Sequence, residues 1–124
     1  MTERPHKNLK VWQKSIVLAK EIYKITEEFP NSEKFGLVSQ MRRAVISIPS
    51  NIAEGAARNS DKEKLQFYYT ARGSLSELDT QLELSKEIGF IKENEKNRIY
   101  DNMNEVSILL NGLIKSQRGR NEKE

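Results

Sequence analysis

Cysteine is absent from the 124 residues, which removes disulfides, thiolate metal sites and thiol catalysis at once and suits a reducing compartment. Histidine occurs once, as His6, ahead of every helical pattern in the chain. Metal-carboxylate bundles draw on Glu-x-x-His pairs on facing helices, and hydrolytic nucleophiles need an adjacent base, so both chemistries lack their central residue. No glycine-rich phosphate loop is present. No stretch approaches the roughly 20 consecutive apolar residues of a membrane span, and the opening MTERPHKN lacks the apolar region of a signal peptide. These absences lead us to expect a cytoplasmic, non-enzymatic protein with no cofactor, no metal and no membrane partner.

What the chain does have is amphipathic length. Hydrophobic residues make up 36% and charged residues 31%, the balance of a small core beneath a large solvated surface. The chain length suits one domain. The net charge of +3 is mild, but it is unevenly placed. Residues 42–72 hold six basic against three acidic side chains, whereas residues 73–105 hold four against eight. A basic second quarter followed by an acidic third quarter says more about partners than the total does.

Four helical patterns follow one another. In residues 8–28, Leu9, Trp12, Ile16, Ala19, Tyr23 and Thr26 recur at steps of three and four, with Asn8 as a cap and Phe29-Pro30 as the stop. From about Glu33, the apolar face reads Leu37, Met41, Val45, Ile48, Ile52 and Ala56. Pro49 interrupts it without changing its phase, so a helix kinked near Pro49 is expected rather than two abutting ones. Ser60 and Glu63 form a capping box that starts a third helix at Asp61. That helix has the seam Leu65, Tyr68, Ala71, Leu75, Leu78, Leu82 and Ser85, spans about 40 Å, and ends at Gly89. A fourth pattern from about Lys92 uses Ile99, Met103, Val106, Leu110 and Leu113. Short loops between long helices specify an antiparallel, up-down-up-down four-helix bundle, all-α, over residues 8–115. Residues 1–7 are expected to be flexible and residues 116–124 to form a disordered polar tail.

The second helix carries more than a core face. At 100° per residue, Arg43, Ser47, Asn51, Glu54 and Arg58 form a polar ladder nearly opposite Met41, Val45, Ile52 and Ala56. A third facet with Val38, Arg42, Ile46, Pro49 and Ala53 is partly apolar, more than a two-faced surface helix needs, and points to an extra partner.

The segment SQMRRAVISIPSNIAEGAAR, residues 39–58, closely resembles the signature of the 23S ribosomal RNA intervening-sequence protein family. The likeness continues through Ser60, Gly73-Ser74-Leu75 and Glu77-Leu78, and includes Leu9-Lys10-Val11-Trp12 and Gly36-Leu37, covering about residues 8–114. The resemblance implies an antiparallel bundle that assembles into a homopentamer. It also implies kinship with the accessory protein of diversity-generating retroelements, a basic bundle that partners a reverse transcriptase and binds nucleic acid.

Two readings compete for the basic region. Arg42, Arg43, Arg58, Lys62, Lys64 and Arg72, extended by Lys34, are candidates for contacts with RNA or DNA phosphates, with Ser47 and Asn51 orienting them. Alternatively these are solvated or intersubunit side chains: Glu54 stands four residues before Arg58 in ion-pair register, and Asn51 is placed to satisfy backbone groups freed by Pro49. Ser47, Pro49, Asn51, Glu54 and Gly73 are the structural or intersubunit candidates. Gly73 sits mid-helix at a cost of about 1 kcal/mol, which suggests a close helix approach within the bundle or between subunits. Phe67, Tyr68 and Tyr69 read as core or near-core residues rather than base-stacking platforms, and Trp12 as a core anchor. The expectation is a homo-oligomeric accessory or scaffold protein with weak electrostatic affinity for nucleic acid. The alternative is a purely protein-binding module.

Overall fold

Local chemistry sets each helix end. The computed structural model describes residues 4–123. The elements are a 3-10 turn at Pro5–Asn8, α1 Lys10–Thr26, a second 3-10 turn at Asn31–Glu33, α2 Leu37–Ala56, α3 Asp61–Glu87 and α4 Glu93–Lys123. There is no strand among the described residues, and the expected all-α four-helix bundle is what the chain forms. Residues 1–3 of the N-terminal segment expected to be flexible, and residue 124, lie outside the described residues.

Ser60 caps α3 as anticipated, its Oγ accepting the Glu63 N–H at 3.0 Å. At the other end Gly89 takes a φ of 86°. The Phe90 N–H then reaches the Ser85 carbonyl at 2.8 Å and the Gly89 N–H reaches Lys86 at 3.0 Å, the paired bonds of a Schellman stop. The start of α1 differs from the sequence reading: its cap is Leu9, without a side-chain cap bond. Pro5 opens a 3-10 turn that takes in Asn8, leaving the cap position one residue later. α2 runs unbroken through Pro49, so this segment is one helix. Proline has no N–H to offer the Val45 carbonyl.

Cross-helix bonds fix the chain directions. Between α2 and α3, Ser47 meets Ser74 and Met41 meets Ser85, while Lys64 reaches Ala56. Between α3 and α4, Lys96 meets Glu83 and Arg72 meets Asn111. Between α1 and α4, Glu21 meets Asn102 and Lys14 meets Glu105. In each pair one number rises as the other falls, so sequential neighbours are antiparallel, and α4 closes on α1.

The core follows the α3 seam throughout and the α2 and α4 seams except at their ends, Leu37 and Ala56 being only half-buried, and it shifts the α1 seam. Leu65, Tyr68, Ala71, Leu75, Leu78, Leu82 and Ser85 of α3 are all buried, as are Met41, Val45, Ile48 and Ile52 of α2. In α4, Ile99, Met103, Val106 and Leu110 are buried and Ile114 replaces Leu113 as the last core residue. In α1, however, the buried line is Val11, Ser15, Leu18, Ile22 and Thr26. Trp12 and Ala19 flank this line, and Tyr23 is exposed. The sequence disguised it because two of its members are polar. Ser15 donates to the Trp12 carbonyl at 2.7 Å and Thr26 to the Ile22 carbonyl at 2.6 Å, which makes a buried hydroxyl tolerable.

α4 also outruns its apolar pattern. The sequence reading ends the bundle at residue 115, but the helix continues to Lys123. Polar side chains dock this stretch: Gln117 is 3% exposed and donates to the Asp61 carboxylate, and the Arg118 Nε donates to the Tyr69 hydroxyl at 2.7 Å. A hydrophobic period cannot register contacts of that kind.

Candidate nucleic-acid interface

The six basic candidates do not form one patch. Arg42 lies at the joint between α1 and α2, half-buried, with its Nε donating to the Thr26 hydroxyl at 3.0 Å and its Nη2 to the Tyr23 carbonyl at 3.2 Å. Its guanidinium also covers the Tyr23 ring at 4.5 Å. It therefore satisfies the Tyr23 carbonyl and the Thr26 hydroxyl in the last turn of α1, where a cation is favoured. Lys34 sits at the same end beside Phe35, the most exposed aromatic among the described residues, 5.6 Å from its ring centroid. Arg43 is exposed in the first half of α2, and Arg72 lies on the α3–α4 side, 3.4 Å from the Asn111 side-chain oxygen and on the Tyr69 ring that it shares with Arg118 from the end of the bundle opposite Arg42.

The opposite end of the bundle does concentrate positive charge. There the short connection 57–60 joins α2 to α3, and α4 arrives alongside through the Gln117–Asp61 contact. Arg58 pairs with Glu54 at 2.8 Å and lies 4.7 Å over the Phe67 ring. The Lys64 Nζ donates to the Ala56 carbonyl at 3.3 Å, capping the end of α2. Lys62 is exposed at the same corner. To these α4 adds Lys115, Arg118 and Arg120, none of them among the sequence candidates. Arg120 stands near enough to Tyr68 to oppose the upward shift that burial gives that phenol. No apolar period marks them in the sequence, because polar side chains, Gln117 and Arg118, dock this stretch of α4.

The aromatic rings at this end are covered. Tyr68 is 2% exposed. Phe67 lies beneath Arg58, and Tyr69 lies between Arg72 at 5.1 Å and Arg118 at 5.3 Å. Tyr68 in the core and Tyr69 packed against it match the core and near-core reading, whereas Phe67 is a partly exposed ring whose partner is Arg58 rather than the core. Trp12 packs against the core, and the His6 ring meets it edge-to-face with the ring centroids 4.9 Å apart.

The polar ladder borders a groove of about 480 Å³ between α2 and α3, lined by Arg43, Ser47, Thr70, Ser74, Glu77 and Gln81 among others. Ser74 donates to the Ser47 hydroxyl at 2.8 Å, and the Asn51 amide donates to that hydroxyl at 2.9 Å and to the Ser47 carbonyl at 2.8 Å. Asn51 thus serves a backbone carbonyl near Pro49, two residues on from the Val45 carbonyl that proline deprives. The Gln81 Oε1 is buried in this region without a hydrogen-bond partner. Gly73 opens onto this outer face, and a Cβ there would meet nothing within 4 Å, so no helix of the same chain explains it. The glycine that does permit a close approach is Gly55, where a Cβ would fall 2.5 Å from a Tyr68 ring carbon. Most of the third facet of α2 is also used internally: Val38 and Pro49 are buried, and the Pro5–Asn8 turn packs on α2. Ile46 alone of its apolar members remains exposed, at 44%.

The acidic third quarter is partly spent on ion pairs. Lys96, only 8% exposed, bonds Glu83 at 2.9 Å, and Lys86 approaches Glu93 at 3.3 Å. The Glu83 bond holds the Lys96 ammonium above the usual lysine range, and the same bond holds Glu83 below the usual carboxylate range. Tyr100 donates to the Asp79 carboxylate at 2.6 Å, and its phenol is raised, first by burial and then by that bond. Among the described residues no group of three or more His, Cys, Asp or Glu side chains is placed to hold a metal ion. No helix among them is long and apolar enough to cross a membrane.

The family model of the 23S rRNA-intervening sequence protein matches residues 7–112. The chain belongs to that family. A solved structure of similar form is a protein of unknown function from the S23 ribosomal protein family of Bacteroides thetaiotaomicron. It is 26% identical, with a TM-score of 0.78 over 85% of this chain and 98% of that one. No curated protein matches the sequence. Membership in the 23S rRNA-intervening sequence protein family agrees with the resemblance read from residues 39–58 and with the helical fold. It assigns no activity to any residue.

Proposed function

We propose that this protein is a non-catalytic, self-associating accessory bundle that holds nucleic acid electrostatically at the end where α2, α3 and α4 converge. The observation that carries this reading is the gathering of Arg58, Lys62, Lys64, Lys115, Arg118 and Arg120 at one end, drawn from separate helices. Glu54, Asp61, Glu63 and Glu122 temper the charge, so the affinity is weak and salt-sensitive. An ionic-strength series on RNA and DNA with nuclease-treated protein tests it. Engagement of about three to five phosphates gives a log–log slope of about −2.7 to −4.5 on duplex DNA. Absence of binding at low salt sinks the proposal.

Self-association, with the pentamer that the resemblance implies, is assigned to the α2–α3 face, where Gly73 leaves open space and Gln81 has an orphan acceptor. Sedimentation at micromolar concentration tests this: assembly without nucleic acid is expected and weakens in Gly73→Leu, whereas a wild-type monomer refutes it. The likeness to retroelement accessory proteins makes a reverse transcriptase a partner class to test by co-purification. A purely protein-binding module is favoured instead by the half-exposed pair Leu84 on α3 and Ile88 at its C-cap, one turn apart. Nucleic-acid binding that charge reversal abolishes would exclude that alternative.

A further inference from the structure

We infer that the ligand of the basic end is a double-stranded nucleic acid gripped by its phosphates alone, an inference that rests on the nucleic-acid reading above. Proteins that take single strands without sequence preference add stacking platforms to their cationic groove, and stacking supplies much of their affinity. At this end no such platform is open. Arg58 covers Phe67, Arg72 and Arg118 cover Tyr69, and Tyr68 is buried. Phe35, with 90% of its surface exposed, stands at the far end of the bundle in the α1–α2 connection.

The rings do something else: they hold cations still. Arg58 is fixed by the Phe67 ring and by Glu54 at 2.8 Å. Arg118 is fixed by the Tyr69 ring and by its bond to the Tyr69 hydroxyl at 2.7 Å. Guanidinium groups set in place before binding match an array of phosphates that is also set in place, which a duplex offers and a flexible strand does not. A strand that must be ordered on binding recovers nothing here through its bases. The connection 57–60 is too short to wrap a strand, and α4 continues through residues 118–123, about 9 Å of helix beyond Gln117. The contact surface is therefore a blunt, rigid end that meets a backbone from outside. Such contacts position without reading sequence.

The test is fluorescence anisotropy at low salt with nuclease-treated protein and labelled 20-base-pair duplexes of RNA and of DNA, two unrelated sequences each, beside U20 and dT20 single strands. The expected result is duplex binding at least about tenfold tighter than single-strand binding, with unrelated sequences of one duplex type agreeing within about twofold. Single strands bound as tightly as duplexes, or a tenfold preference for one sequence, overturn this inference while leaving electrostatic nucleic-acid binding standing. Failure of every probe to bind overturns both.

Discussion

Replacing Gly55 with alanine probes the one described glycine whose Cβ would collide with a neighbouring helix. Helix propensity favours alanine over glycine by about 1 kcal/mol, so an interior Gly→Ala change stabilises wherever there is room. At Gly55 there is none. The new Cβ would lie 2.5 Å and 2.9 Å from two carbons of the Tyr68 ring and 3.2 Å from the Lys64 carbonyl oxygen. The ring cannot swing away cheaply because Tyr68 is 2% exposed within the core. Overpacking of this kind costs about 1–3 kcal/mol, so after the propensity gain of about 1 kcal/mol Gly55→Ala should destabilise by up to about 2 kcal/mol and should gain none of the stability expected of an open site. Gly112, with nothing within 4 Å of its would-be Cβ, is the control, and Gly112→Ala should stabilise by up to about 1 kcal/mol. Urea denaturation of both variants at one protein concentration reads the two signs. The cost at Gly55 should also shrink in a Tyr68→Ala background, where the obstructing ring is gone. A Gly55→Ala protein as stable as Gly112→Ala would refute the claim that α2 and α3 meet at this glycine.

Other side chains give separate expectations. Arg42→Ala should cost about 1–2 kcal/mol, because it removes hydrogen bonds to Thr26 and Tyr23 and a ring contact. It should also leave nucleic-acid affinity within about twofold, a split that denaturation and anisotropy together reveal. Ser60→Ala should lower stability by about 1 kcal/mol in the same denaturation assay, through loss of the α3 cap. The Lys96–Glu83 pair should shape the pH dependence of stability. Glu83 is depressed, so its contribution is present above the ordinary carboxylate range and fades as pH falls through its lowered pKa. Lys96 is raised, so its contribution is full below the ordinary lysine range and fades as pH rises through its raised pKa. Lys96→Met should flatten both arms of a plot of thermal midpoint against pH, and an unchanged profile would remove the pair from the account.

How much of this was legible in the sequence depended on what kind of side chain did the work. α3 was readable to the residue, because its core positions keep one phase and Ser60 and Gly89 mark its ends with distinct backbone chemistry. α1 was misphased because Ser15 and Thr26 bury hydroxyls that bond their own helix, while Tyr23 is apolar enough to mimic a core residue yet stands exposed beneath Arg42. The last turns of α4 were invisible to periodicity, since Gln117 and Arg118 attach them through hydrogen bonds. The same blindness hid half of the candidate interface. Counting charge along the chain located Arg58, Lys62 and Lys64, but only the fold brings Lys115, Arg118 and Arg120 beside them. It also carries Arg42 to the opposite end of a helix about 30 Å long. Gly73 and Gly55 look alike in sequence, and only the position of Tyr68 tells them apart.

The basic end itself is tested most directly by moving charge at one end of the bundle and not the other. Lys62→Glu with Arg120→Glu reverses two exposed cations at the α2–α3–α4 end, and Lys34→Glu with Lys92→Glu makes the same change in net charge at the far end. With duplex binding measured by anisotropy at low salt, the first pair should weaken affinity by at least about tenfold and the second by no more than about threefold. Equal losses from both pairs would mean that net charge alone governs binding, and would contradict the assignment of nucleic acid to that end.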